Sequence, residues 1–128
     1  QLGIAKGDEA CFELPAHHQD FGKKVAAYYY FVFPNMMFNF YPWGLSVNIV
    51  EPNGMEQTNV RFLTYVWKEA LYNQGAGSDL DQVELEDEEV VENVQRGVRS
   101  RFYSHGRYSA TREQGTHHFH QMITHFLL

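Results

Sequence analysis

The sequence predicts an α+β fold in which an antiparallel sheet comes first and helices follow. Three observations carry this. Residues 25 to 67 hold aromatic and β-branched runs broken by turn residues, the pattern of strands. Asn73 to Ser78, rich in Gly and Asn, then interrupts the chain. From Leu80 onward apolar residues recur at helical spacing. Strands followed by helices suit helices packed on one face of an antiparallel sheet.

Taken in order, residues 1 to 24 are mixed and polar, punctuated by Gly3, Gly7, Pro15 and Gly22, and read as irregular with a short strand near Cys11. Ala27 to Phe33 is a dense aromatic run stopped by Pro34-Asn35, which predicts a strand buried on both faces. Met36 to Tyr41 reads as a second short strand closed by Pro42. Leu45 to Glu51 sets Leu45, Val47 and Ile49 against Ser46, Asn48 and Val50, a period of two. Pro52-Asn53-Gly54 is a turn in which Gly supplies the positive φ. Gln57 to Trp67 returns as a strand with Val60, Phe62 and Val66 on one face, so Leu45 to Trp67 is an antiparallel hairpin. Asn73 to Ser78 reads as a flexible link. The amphipathic helix Leu80 to Phe102 follows, ending near Tyr103 to Gly106. A last helix, capped by Thr111 or Thr116, carries a stripe of Met122, Ile123, Phe126 and Leu127 to the terminus.

The length of 128 residues suits about one domain, and 44% hydrophobic residues suffice for a core. The net charge of -6 comes largely from the cluster Asp79 to Glu92, so it marks one helix face. The basic residues are scattered, which argues against nucleic acid as a partner. The single cysteine, Cys11, rules out an internal disulfide and suits a reducing compartment; we expect the cytoplasm. No apolar run approaches the ~18 residues of a membrane span, and no signal peptide is visible. A first residue of Gln rather than Met suggests a fragment or a processed product.

Asp87 is the residue that stands out. On the Leu80–Phe102 helix the apolar stripe is Val83, Val90, Val91, Val94, Val98 and Phe102. At roughly 100° per residue Asp87 lies about 40° from Val83 and Val91 and about 20° from Val94 and Val98. The other acids mostly face away. A carboxylate inside a core-facing stripe needs a strong partner, because burying it unpaired costs several kcal/mol. A metal ion is one such partner. The plainer alternative is a frayed stripe that leaves Asp87 wet beside the helix dipole. The histidines offer less. His120 and His125 are spaced H-x4-H and diverge by about 140° on a helix, while His118 and His125 share a face two turns apart. His17-His18 beside Asp20 is equally weak as a metal motif. Nucleophile elbows, phosphate-binding Gly loops and Cys-His pairs are missing. The aromatic run Tyr28 to Phe33 reads as core, with an alternate face that could line an apolar pocket.

Several strings in order then resemble one family. They are Phe31-Val32-Phe33-Pro34-Asn35, Asn39-x-Tyr41-Pro42, Glu86-Asp87 followed by Gln95-Arg96-Gly97, Gly106-Arg107-Tyr108-Ser109 and His117-His118-Phe119-His120. From about Tyr28 onward the chain resembles the C-terminal part of the catalytic domain of Rieske-type non-heme iron oxygenases, the alpha subunits of aromatic-ring-hydroxylating dioxygenases and related monooxygenases. The ending also resembles choline-monooxygenase-like members, which act on quaternary ammonium compounds.

The resemblance implies a helix-grip fold of the Bet v 1/START-like kind, with residues 1–128 as its C-terminal portion and the Rieske domain and upstream catalytic part absent. It implies that Asp87 is the carboxylate ligand of a mononuclear Fe(II), with two His ligands outside this chain. It implies a Rieske 2Fe-2S cluster in the missing domain, since one Cys cannot supply it. Electrons would come from NAD(P)H through a reductase, with or without a ferredoxin. Met37, Phe38, Asn39 and Phe40 are the candidate substrate-binding residues. An aromatic-ring substrate is the leading expectation, with a quaternary ammonium compound as the alternative, and Trp43 or Tyr28 to Tyr30 offering cation–π faces. A homotrimer or an assembly of three alpha and three beta subunits is expected, and the fragment alone is expected to be inactive. A metal-free helix-grip module holding an apolar ligand is the rival from another class.

Overall fold

The computed structural model describes residues 1–128, with the side chains of Leu80, Asp81 and Val83 outside the description; the stripe position assigned to Val83 therefore lies outside the described residues. The chain divides into two units, Gln1–Leu80 and Asp81–Leu128. The first is a five-stranded antiparallel sheet in the order β1-β2-β3-β4-β5. Its strands are β1 (Leu2–Ile4), β2 (Val25–Val32), β3 (Met36–Tyr41), β4 (Gly44–Pro52) and β5 (Thr58–Val66). The second holds helices α1 (Leu80–Val98) and α2 (Gln114–Leu127). An α+β chain with its sheet before its helices is what the hydrophobic periods require.

The hairpin forms as its turn chemistry dictates. Gly54 takes φ +83°, and the Asn53 amide donates to the Gln57 carbonyl at 2.9 Å. In register, Ser46 faces Thr64 and Val47 faces Leu63, so Leu45, Val47 and Ile49 do share one side of β4. At the other end Gly44 faces Val66. A Cβ on Gly44 would collide with the Tyr65 carbonyl, which is backbone and cannot swing aside. Gly44→Ala is therefore expected to lower stability by about 1–3 kcal/mol, measured by chemical denaturation.

The core sits at one end of this sheet. Ala27, Tyr41 and Trp43 are buried together, with Tyr29, Leu71, Tyr72 and Ala76 packed against them. Trp43 stacks on Tyr41 at 5.0 Å and meets the Tyr72 ring edge-on at 5.0 Å. Its Nε1 donates to the Ala76 carbonyl at 3.1 Å. The Asn73–Ser78 stretch is thus a fitted cover, not the flexible link expected. Its glycine at 77 serves close approach: a Cβ there would lie 3.0 Å from Trp43 Nε1 and from the Tyr41 ring. Gly75 and Gly77 also have φ of 67° and 76°, where Gly carries no steric cost.

Other expectations are corrected. The first strand is Leu2–Ile4, and Cys11 lies in irregular chain. β1 already pairs with Val25, Ala27 and Tyr28, so the Cys11 stretch adds to that edge only the Phe12 amide on the Val25 carbonyl, at 2.8 Å. β2 is not buried throughout: Val25 to Ala27 are buried, whereas Tyr30, Phe31 and Val32 are exposed. The Phe12 amide bonds the Val25 carbonyl, and Leu71, Tyr72 and Ala76 pack against the cluster that holds Ala27, so cover is given to the first residues of β2. α1 stops at Val98, short of Phe102. Gly97 weakens the helix by about 1 kcal/mol relative to Ala. Ser100 and Tyr103 amides then make three-residue turns, to the Gly97 and Ser100 carbonyls at 3.0 Å each. Neither Thr111 nor Thr116 caps α2. Its N-cap residue is Glu113, whose carboxylate accepts the Ser109 amide at 2.6 Å, while Ser109 Oγ accepts the Arg112 amide at 3.3 Å. That local turn takes the start of α2 past Thr111.

Candidate functional site

Asp87 lies in the middle of α1, one turn before Val90 and Val91. Val90, Val91 and Val94 are all more than half exposed, and Asp87 is exposed beside them. The expected core-facing stripe is thus open within this chain. Five valines along a helix give up propensity, a sequence choice that suits a face meant for covering. Neighbouring acids are engaged locally. Glu86 accepts from Gln82 Nε2 at 3.0 Å, and Glu92 lies 4.0 Å from Arg96. Asp87 makes no hydrogen bond or ion pair with any described residue. A free carboxylate on a regular helix fits one oxygen ligand of a two-His, one-carboxylate Fe(II) site, where hard oxygen and imidazole donors leave positions open. Among the described residues no three His, Cys, Asp or Glu side chains gather to hold an ion.

The histidines have other partners. His120 Nδ1 bonds the Tyr108 hydroxyl, and the Tyr108 ring meets His117 and His120 edge-on at 5.1 and 5.7 Å. The sequence reading passed over this pair, although a spacing of three puts His117 and His120 on one face. His18 Nδ1 accepts the Asp20 amide at 3.1 Å and so closes a turn.

That turn borders a groove. Phe12, His18, Gln19, Tyr28, Tyr30 and Phe40 line an open hollow of about 270 Å³ on one face of β2 and β3. Tyr28 and Tyr30 are two apart on β2, so they share a face and stack with centroids 6.3 Å apart. Tyr28 pairs in register with Phe40, and Tyr30 meets the Phe40 ring edge-on at 5.9 Å. Phe12 tilts against Tyr28 at 5.3 Å. Phe38 continues the row, stacked on Phe40 at 6.4 Å. Of the four sequence candidates, the structure therefore brings Phe38 and Phe40 together and turns Met37 and Asn39 to the opposite face, as strand alternation requires.

Under the groove Asp20 is 4% exposed. It accepts from Lys23 Nζ at 2.7 Å and from the Tyr28 hydroxyl at 3.3 Å. The Lys23 bond holds its carboxyl below the ordinary 3.8, against the opposing effect of burial. Burial, then the Asp20 charge, raises the Tyr28 hydroxyl above its ordinary 10.0. A carboxyl depressed in the fold stabilises it above its unfolded pKa, and that contribution vanishes as pH falls through the folded value. Asp20→Asn is thus expected to melt lower than the parent at neutral pH. The gap should close once pH is well below 3.8, read from melting temperatures across an acid titration.

Among the described residues no helix is long and apolar enough to cross a membrane. Residues 8–128 match the family model of the ring hydroxylating alpha subunit, catalytic domain. The chain is 38% identical over 107 residues to a chloroplastic choline monooxygenase of Arabidopsis thaliana, covering 79% of this chain and 25% of that protein. It is 32% identical over 99 residues to the Beta vulgaris choline monooxygenase and 34% over 99 residues to that of Atriplex hortensis, covering 73% of this chain and 22% of each relative. The chain thus spans about a quarter of the length of these relatives. No solved structure matches it. The match across nearly the whole chain, over a sheet followed by two helices, places this protein in the ring-hydroxylating alpha-subunit family of oxygenase catalytic domains.

Proposed function

We propose that the full-length protein is a Rieske-type oxygenase that hydroxylates a choline-like quaternary ammonium alcohol. The observation that carries this reading is 38% identity to a choline monooxygenase over 79% of the chain. It displaces the aromatic-ring substrate, which the sequence put first. The family description supports oxygenase chemistry in general, and the relatives' names favour the quaternary ammonium alternative over an aromatic ring.

Asp87 is proposed as one ligand of the mononuclear Fe(II), with two His ligands and the Rieske 2Fe-2S cluster supplied by the rest of the protein. When bound, the iron would supply the activation of dioxygen. The chain's part is to present a carboxylate from a fixed helix position, neutralising part of the metal's charge. No other described side chain competes for that carboxylate. Phe38 and Phe40, which share the groove face of β3, are proposed for substrate contact; Met37 and Asn39 point to the opposite face and are left out of that proposal. Electrons from NAD(P)H through a reductase, and a trimer of such subunits, belong to the same proposal. The relatives are chloroplast proteins by name, so the chloroplast joins the cytoplasm as a proposed location of the full-length protein.

The test is dioxygen uptake by the intact, iron-loaded enzyme with a reductase. Choline should stimulate uptake in step with its own loss, and an aromatic hydrocarbon should not. Uptake driven by the hydrocarbon alone would return the aromatic reading. Choline or hydrocarbon binding without uptake or iron would favour a metal-free binding module.

A further inference from the structure

We propose that the groove lined by Phe12, Tyr28, Tyr30 and Phe40 is the subsite for a trimethylammonium group, a proposal that rests on the quaternary ammonium reading above. Such a group has no N–H to donate, so carboxylate and carbonyl acceptors hold it poorly. Aromatic faces hold it well, because their negative quadrupole meets the diffuse positive charge. The rings here are set at different angles around one hollow. Tyr28 and Tyr30 lie 16° from parallel, Phe40 stands 83° from Tyr30, and Phe12 tilts 55° from Tyr28. A cation in the hollow therefore meets π surface from more than one side.

The charges nearby agree. The Lys23 ammonium is drawn to Asp20 at 2.7 Å. The Tyr28 hydroxyl donates to the same carboxylate at 3.3 Å, which fixes the ring and leaves it richer in electrons. The occupant is accordingly cationic rather than a flat hydrocarbon, which would value ring area but not charge.

The experiment is calorimetric titration of the intact enzyme with choline and with its neutral isostere, in which a tert-butyl group replaces trimethylammonium. Tyr30 is 53% exposed, so Tyr30→Leu opens no core, and thermal melting confirms that each variant is folded. Tyr30→Leu and Phe40→Leu should weaken choline about five- to tenfold and leave the isostere unchanged, with Tyr30→Phe retaining the parent affinity. Unchanged choline binding in both leucine variants, or equal weakening of both ligands, would overturn the cage. The two proposals fail separately: a parent enzyme that does not take up dioxygen with choline defeats the functional reading, whereas normal uptake with insensitive leucine variants defeats only the cage.

Discussion

Asp87→Ala in the intact enzyme is expected to lose bound iron and to cut choline-dependent dioxygen uptake by more than about a hundredfold, since even partners behind metal ligands are worth 10–100-fold. The protein itself should remain folded. Asp87 is exposed and unbonded among the described residues, and Ala is the better helix former by about half a kcal/mol. Activity and stability are therefore expected to move in opposite directions, which a merely structural acid would not produce. Glu86→Ala and Glu92→Ala are the controls. Their acids bond along the helix surface, to Gln82 and near Arg96, and surface pairs of this kind are worth well under 1 kcal/mol. Both should keep iron and activity. Asp87→Asn preserves shape and removes charge; it should resemble Ala in iron content. Iron analysis of purified variants beside uptake rates reads all four.

Trp43→Ala is expected to destabilise the chain by about 3–5 kcal/mol, the range for removing a buried indole. Trp43 is 1% exposed and makes three separate attachments: the stack on Tyr41, the edge contact with Tyr72 and the hydrogen bond to Ala76. The last two hold the 72–76 stretch onto the sheet. Its own carbonyl also accepts the Trp67 and Lys68 amides, at 2.7 and 2.9 Å, and these bonds survive any side-chain change. Trp43→Phe keeps a ring on Tyr41 but loses the donor to Ala76. Its expected cost is smaller, about 1–3 kcal/mol, because the Ala76 carbonyl is left without its partner. Urea denaturation of parent and variants gives both values. A Trp43→Ala loss below 1 kcal/mol would mean that the cluster is not the core.

What the sequence made legible was whatever one short window contains. β3 runs Met36–Tyr41 as its composition and the closing Pro42 dictate, and the Pro52-Asn53-Gly54 turn sets the hairpin register. Asp87 was visible because a single acid breaks a periodic stripe. Features built from distant segments were not legible. The groove joins residues near 12, 18, 28 and 40, and no window holds them together. The tie from Trp43 to Ala76 spans 33 residues, so Asn73–Ser78 looked like a loose link when its glycines were there for close fit. The split of Met37 and Asn39 from Phe38 and Phe40 needed only the period of two, applied to the pocket candidates as it had been to β4. The starts of β1 and α2 depended on which segment claimed a backbone group first, and propensity alone does not decide that competition.

The central claim is that the protein inserts oxygen from dioxygen into a choline-like alcohol at an iron held in part by Asp87. Turnover of choline by the intact, reductase-coupled enzyme under isotopically heavy dioxygen, followed by mass spectrometry, tests it most directly. Hydroxylation at the carbinol carbon would give an aldehyde hydrate, which exchanges oxygen with water, so the product should be trapped by rapid oxidation to the carboxylate before analysis. The expected result is heavy oxygen in the trapped product from the parent enzyme and none from Asp87→Ala. Product carrying only water oxygen, or equal incorporation by Asp87→Ala, would contradict it.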